Sequence, residues 1–264
     1  MSTGNVMQAA VQRYLKERRQ LGFALTSSGA ELMRFARFAD ELGHRGPLTQ
    51  ELQLKWAREH VRRTGAVTAA RRLEIIRPFA AYYRQFEADT EIPPLGVLGR
   101  GHRRLAPHIY TDEEVQQLLE QAGRLTPRGS LRPLMYRTLF GLIAAAGLRL
   151  SEALKLQVVD VDLQAATITV RQTKFHKSRC LPLHASTVQA LSEYRLARDR
   201  HANRDASARF FVSRTGGQLP VNTVEAVFSS MRRRLGWQAR GDYPHPRIQD
   251  LRHNSESWII PSTA

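Results

Sequence analysis

The chain has 264 residues, 42% of them hydrophobic, which is room for two domains of ordinary size with no apolar run approaching a membrane span. Forty Lys+Arg against 24 Asp+Glu leave a formal charge of +16, and only five of the forty are lysines, a bias that favours phosphate-bearing partners because each guanidinium offers paired donors. The single cysteine, Cys180, excludes an internal disulfide framework and has no metal-ligand spacing around it, and the first 20 residues lack the apolar core of a secretory signal, so a cytoplasmic protein is expected.

Residues 6–22 set Val6, Ala10, Val11, Tyr14, Leu15 and Leu21 at helical spacing and stop at Gly22. Ser27 or Ser28 can cap a second helix with the stripe Leu32, Phe35, Ala36, Ala39 and Leu42, closed by Gly43 and Gly46-Pro47. Thr49 opens a third over 50–64, with Leu52, Trp56 and Val61 facing inward. A fourth covers 67–86, where Pro78 predicts a kink or a break. Four short amphipathic helices read as a small α bundle. Arg62, Arg63, Arg71 and Arg72 flank the turn at Gly65, where they could meet a phosphate backbone together. They read equally well as the polar faces of their helices.

Residues 89–104 are rich in Pro, Gly and basic residues, Arg103 and Arg104 included, and have no periodicity; they read as a linker. The division expected is a helical domain over 1–90, a linker over 91–104 and a second domain over 105–264. Both sides are basic, +6 up to Arg100 and +10 beyond it, so two domains could close around a duplex as a clamp.

Thr111-Asp112-Glu113-Glu114 is a helix start, with the threonine as cap and Glu114 completing a capping box. A polar loop then leads into an apolar helix through Leu134, Met135, Leu139, Leu142 and Ile143 that stops at Gly147, which puts Arg149 at a turn. Ser151 can cap the short helix that follows. Gln157–Asp162, Thr167–Val170 and Arg179–Leu183 read as a three-stranded antiparallel sheet with Lys174 carried on the hairpin between the last two. A helix over 186–200 directs Val188, Leu191, Tyr194 and Leu196 to the core, 208–212 is a short buried segment, and 222–235 is a basic helix ending at Gly236. Read alone, Arg149 is equally a surface arginine or an ion pair with Glu152, and Lys174 a solvated turn residue.

Four segments in order change that reading. Thr111–Val115, Gly147-Leu148-Arg149-Leu150-Ser151-Glu152, Lys174 to Leu183 with Lys177-Ser178-Arg179, and Asp250-Leu251-Arg252-His253 together resemble the tyrosine recombinase (phage integrase) family over nearly the whole chain. The resemblance implies a mainly α fold with a small antiparallel β-sheet, in which an N-terminal four-helix core-binding (SAM-like) domain precedes a catalytic domain. It implies site-specific cutting and rejoining of double-stranded DNA through a 3′-phosphotyrosine, with no metal or other cofactor, no membrane partner, and a homo-oligomer on DNA. Arg149 and Arg252 would stabilise charge developing on the phosphate, Lys174 would be general acid, and Glu152 would hold Arg149. Lys177 and Arg179 would contact phosphates.

Two positions depart from the family pattern. Gln249 stands where the family has a histidine, and glutamine can hydrogen-bond a phosphate oxygen but cannot carry a proton. Twelve residues follow Arg252 and none is a tyrosine, so the family's C-terminal end is missing from the expected catalytic domain; Tyr243, which precedes Arg252, is not taken as the nucleophile. The expectation is a DNA-binding recombinase relative that grips the phosphate without self-contained cleavage. The alternatives left open are a non-catalytic DNA-binding module occupying recombination sites and, more remotely, a basic helical RNA-binding protein.

Overall fold

A computed structural model describes residues 5–59, 66–101, 105–171, 178–202, 205, 207–213 and 215–254. The chain divides into two compact units, Met1–Arg104 and Leu105–Ala264. Mainly helical, it carries a single three-stranded antiparallel sheet among the described residues.

The first unit holds helices α1 (Val6–Gln20), α2 (Thr26–Glu41), α3 (Gln50–Arg58) and α4 (Ala66–Tyr83). Met7, Val11, Tyr14, Phe35, Trp56, Phe79 and Tyr83 form one core from all four. Thr49 caps α3 as its sequence predicts, accepting from the Leu52 N–H at 3.2 Å. Neither Ser27 nor Ser28 caps α2: the helix begins at Thr26, after Leu25 in a left-handed conformation. Pro78 does not break α4, which runs through it. An interior proline costs a helix about 3 kcal/mol, but Leu73, Ile76, Phe79, Ala80 and Tyr83 are all buried on its two sides. Each such large side chain gains roughly 1.5–3 kcal/mol from burial, so tertiary packing outweighs the missing bond.

Part of the stretch read as a linker is docked on this unit. The Leu48 N–H donates to the buried Thr90 hydroxyl, the Glu91 N–H to the Leu48 carbonyl at 2.8 Å, and Gln53 to the Glu91 carbonyl at 2.8 Å. Further on, the Gly101 N–H donates to Glu74 at 3.1 Å. These backbone groups find donors and acceptors in α3 and α4, which a composition-based reading does not register.

In the second unit, α5 (Asp112–Gly123) starts with the predicted capping box, Thr111 accepting from Glu114 N–H and Glu114 from Thr111 N–H. Then come α6 (Leu131–Ala146), α7 (Leu150–Lys155), strands β1 (Val161–Asp162), β2 (Thr167–Val170) and β3 (Arg179–Pro182), α8 (Ala185–Arg198), α9 (Val221–Leu235) and a 3-10 segment, Ile248–Asn254. The sheet order is β1-β2-β3, with Val170 opposite Arg179 and Val161 opposite Ile168. Most of the predicted first strand is instead a 3-10 turn, Val158–Asp160, whose entry is fixed by Asp160 accepting from the Gln157 N–H at 2.9 Å. The core centres on α6, with Leu139, Phe140, Leu142, Ile143 and Ala144 against Phe228 of α9 and Leu251 of the 3-10 segment.

Helix α8 reverses the expected polarity at two positions. Leu196 is 69% exposed, whereas Arg198 is fully buried. The Arg198 guanidinium donates to the carbonyls of Arg209 and Phe210 and pairs with Asp199. The segment it holds donates its Phe210 N–H to the Leu156 carbonyl at 2.8 Å, just beyond α7. Arg198→Met keeps bulk but removes every donor, leaving the Arg209 carbonyl without its guanidinium partner, while the Phe210 carbonyl keeps the Tyr194 hydroxyl at 3.2 Å. One orphaned carbonyl costs about 1–3 kcal/mol, which is the expected loss of stability read from the urea midpoint of the second unit's transition; an unchanged midpoint would show that this carbonyl needs no protein donor.

Candidate functional site

Gly147 makes the site possible. It ends α6 at φ 62°, ψ 28°, a left-handed stop that suits glycine, and it turns the chain so that Leu148 is buried while Arg149 becomes the N-cap of α7. Ser151, expected as that cap, lies inside the helix. The cap is instead made backwards: Glu152, at the third helical position, accepts the Arg149 backbone N–H at 2.9 Å.

The same carboxylate receives two guanidiniums. Arg149 Nη1 donates to Glu152 Oε1 at 2.7 Å, and Arg179 Nη2, from the first residue of β3, donates to Oε2 at 2.9 Å. Glu152 has 9% of its side chain exposed, against 41% for Arg149 and 34% for Arg179. Burial pushes the Glu152 carboxyl up, but the Arg149 N–H, its guanidinium and the charge of Arg179 outweigh that and hold it below the ordinary carboxylate value.

Arg252 reaches the place from the other end of the unit. Its Nε donates to the Gly147 carbonyl at 2.9 Å, two residues before Arg149. Burial, then the positive charges of Arg149 and Arg179, lower its pKa, with Glu152 opposing. Three guanidiniums and one carboxylate leave this helix end with net positive charge. Gln249 is exposed on the wall of an open cleft of about 370 Å³ shared with Leu150, Arg232 and Arg247.

The segment bearing Arg252 is held by Asp250 of the same motif and by groups outside the motifs. Fully buried Asp250 accepts from the Arg247 N–H at 3.1 Å and from its guanidinium, which lies over the Tyr243 ring. The hydrogen bond to Asp250 raises the Arg247 pKa above its ordinary value. Tyr110 donates to the Arg247 carbonyl at 3.0 Å, and its own pKa is raised by burial and by Asp250. Arg240 bonds Glu114 of the capping box, and its N–H donates to buried His108 at 3.2 Å. An Arg-Ile-Gln-Asp run just before Arg252 is the signal available in the sequence: arginine three residues before aspartate is the spacing of a turn-closing pair.

Among the other candidates, Arg72 is engaged within its own unit. It donates to the Glu59 carbonyl at 2.7 Å, lies 3.7 Å from Glu31 and covers the Trp56 ring. Arg71 is exposed on α4. Arg62, Arg63, Arg103, Arg104, Lys174 and Lys177 lie outside the described residues. Cys180 is in β3 but exposed. Among the described residues no group of three or more His, Cys, Asp or Glu could hold a metal ion, and no helix is long and apolar enough to cross a membrane.

Comparison with known proteins identifies the family. The phage integrase family model matches residues 109–263. The putative integrase/recombinase y4rB of Sinorhizobium fredii is 39% identical over 255 residues, covering 94% of this chain and 80% of that protein. The tyrosine recombinase XerD of Mycobacterium tuberculosis is 33% identical over 208 residues, 75% of this chain and 63% of that one. Among solved structures, the XerH site-specific recombinase bound to a palindromic difH substrate superposes with a TM-score of 0.67 at 16% identity, over 94% of this chain and 72% of that one. A lambda integrase dimer bound to a COC′ core site gives 0.66 at 16%, over 94% and 88%. By the family match over more than half of its length and by its likeness to the y4rB protein, the chain belongs to the phage integrase family of tyrosine recombinases.

Proposed function

We propose that the protein binds duplex DNA at a recombination site and grips one backbone phosphate with Arg149 and Arg252, acting in site-specific recombination or integration. The observation that carries this reading is the bond from Arg252 to the carbonyl of Gly147, which brings arginines 103 positions apart to the same helix end. Fixed guanidiniums on a protein scaffold stabilise the charge that gathers on a phosphodiester in transition, without reorganisation cost. Lys174, on the hairpin closed by β2 and β3, is the proposed proton donor to a departing 5′ oxygen. Gln249 accepts or donates a hydrogen bond only. Lys177, Arg62, Arg63, Arg71, Arg103 and Arg104 are the proposed contacts to flanking phosphates, Arg72 contributing through the packing of α3 on α4. Copies pairing on the two arms of a site, in the cytoplasm, complete the reading.

The described tyrosines of the second unit are committed elsewhere. Tyr136 and Tyr194 are buried, Tyr110 donates to a backbone carbonyl, and the Tyr243 ring lies under Arg247. Strand cleavage is therefore not assigned to them, and the 264-residue chain is read as a phosphate-gripping protein.

Three outcomes are expected. Affinity for a labelled duplex should fall linearly on a log–log plot against salt, by about 0.9 in slope per phosphate neutralised. Arg149→Ala and Arg252→Ala should each weaken binding and flatten that slope by up to about one unit; a wild-type slope in both variants rules out the shared-phosphate reading. Incubated with a nicked suicide duplex, the 264-residue chain should give no protein–DNA adduct on a denaturing gel, and an adduct lost on Tyr243→Phe would assign cleavage to that residue after all.

A further inference from the structure

The three groups on Glu152 are not equivalent. Oε1 takes the Arg149 guanidinium alone, while Oε2 already takes the Arg149 backbone N–H and Arg179. A carboxylate facing an arginine prefers the side-on pair in which two oxygens meet two nitrogens. Here Arg149 makes a single side-chain hydrogen bond to Glu152, and the second oxygen carries two other donors.

We propose that Arg179 is a positioning residue: by occupying Glu152 Oε2 it prevents a closed, bidentate Arg149–Glu152 pair and leaves Arg149 with donors and net charge for a DNA phosphate. This rests on the phosphate-gripping reading given above and goes beyond it, since Arg179 then works through Glu152 and not by touching DNA. Its place is well determined, because the Arg179 backbone pairs with Val170 across the β2–β3 ladder and Val170 is buried. Glu152 is nearly buried, so competition between the two arginines for its charge is weakly screened. Without Arg179, a neutral Arg149–Glu152 pair would form that an incoming phosphate must first open, and the local balance would fall from three guanidiniums (Arg149, Arg179 and Arg252) against one carboxylate to two.

A double-mutant cycle separates the possibilities, using the full chain and a fluorescein-labelled random-sequence duplex read by anisotropy across a salt series. Arg179→Gln is expected to weaken binding about 5- to 10-fold with the salt slope nearly unchanged, the size of coupling that contacting residues show. In a Glu152→Gln background, where no carboxylate remains to capture Arg149, the same change is expected to cost less than about twofold. Arg179→Lys, which still offers a cation to Oε2, should stay within about twofold of wild type. An undiminished loss in the Glu152→Gln background, with the slope lowered by about 0.9, would mean that Arg179 meets a phosphate itself and overturns the inference while leaving the site reading intact. Binding unaffected by Arg149→Ala removes the site reading and this inference with it.

Discussion

The second unit is built around a charge imbalance. One nearly buried carboxylate, Glu152, is hydrogen-bonded to Arg149 and Arg179 while Arg252 is fixed to the carbonyl at the end of α6. Like charges gathered in one place repel: burial first, then Arg149 and Arg179, push the Arg252 pKa down. Such a cluster persists only because the surrounding structure over-determines each side chain.

That over-determination is distributed through the fold. Arg149 is set by a glycine stop and by a cap that its own glutamate closes. Arg179 is set by a strand register. Arg252 hangs on a 3-10 turn braced by Asp250, Arg247 and Tyr110, and the far end of α7 is tied to a segment held by buried Arg198. None of these braces needs to reach DNA. Their role is to remove conformational freedom from three arginines before any ligand arrives, which is where a pre-organised site gains its advantage.

The parts legible in the sequence were those governed by local rules. The Thr111 capping box, the Thr49 cap, the stop at Gly147 and the β2–β3 hairpin each follow from a few adjacent residues. What escaped was set by distant partners. Arg198 is inside and Leu196 outside because two carbonyls of the 208–212 segment need donors, a demand invisible from α8 alone. Pro78 is tolerated because apolar neighbours on both sides are buried, and residues 90–101 dock on α3 and α4 through backbone hydrogen bonds that composition cannot announce. Arg72 looked like a surface cation and proves to be a lid on Trp56. The arginine boxes could be found by motif, yet the carboxylate linking Arg179 to Arg149 could not, since 27 residues separate Glu152 from Arg179 and no spacing rule joins a helix N-terminus to a strand.

The pieces also constrain how the site can handle protons. Glu152 is held below its ordinary pKa, so it stays ionised through neutral and mildly acidic solution. Arg252 is shifted down from a value so high that it keeps its charge near neutrality. Gln249 has no titrating proton at all. Glu152, Arg252 and Gln249 are thus a fixed arrangement of charge and hydrogen-bonding groups near neutrality, and none of the three readily passes a proton along. A proton moved during phosphoryl transfer would therefore be carried by a group other than these three.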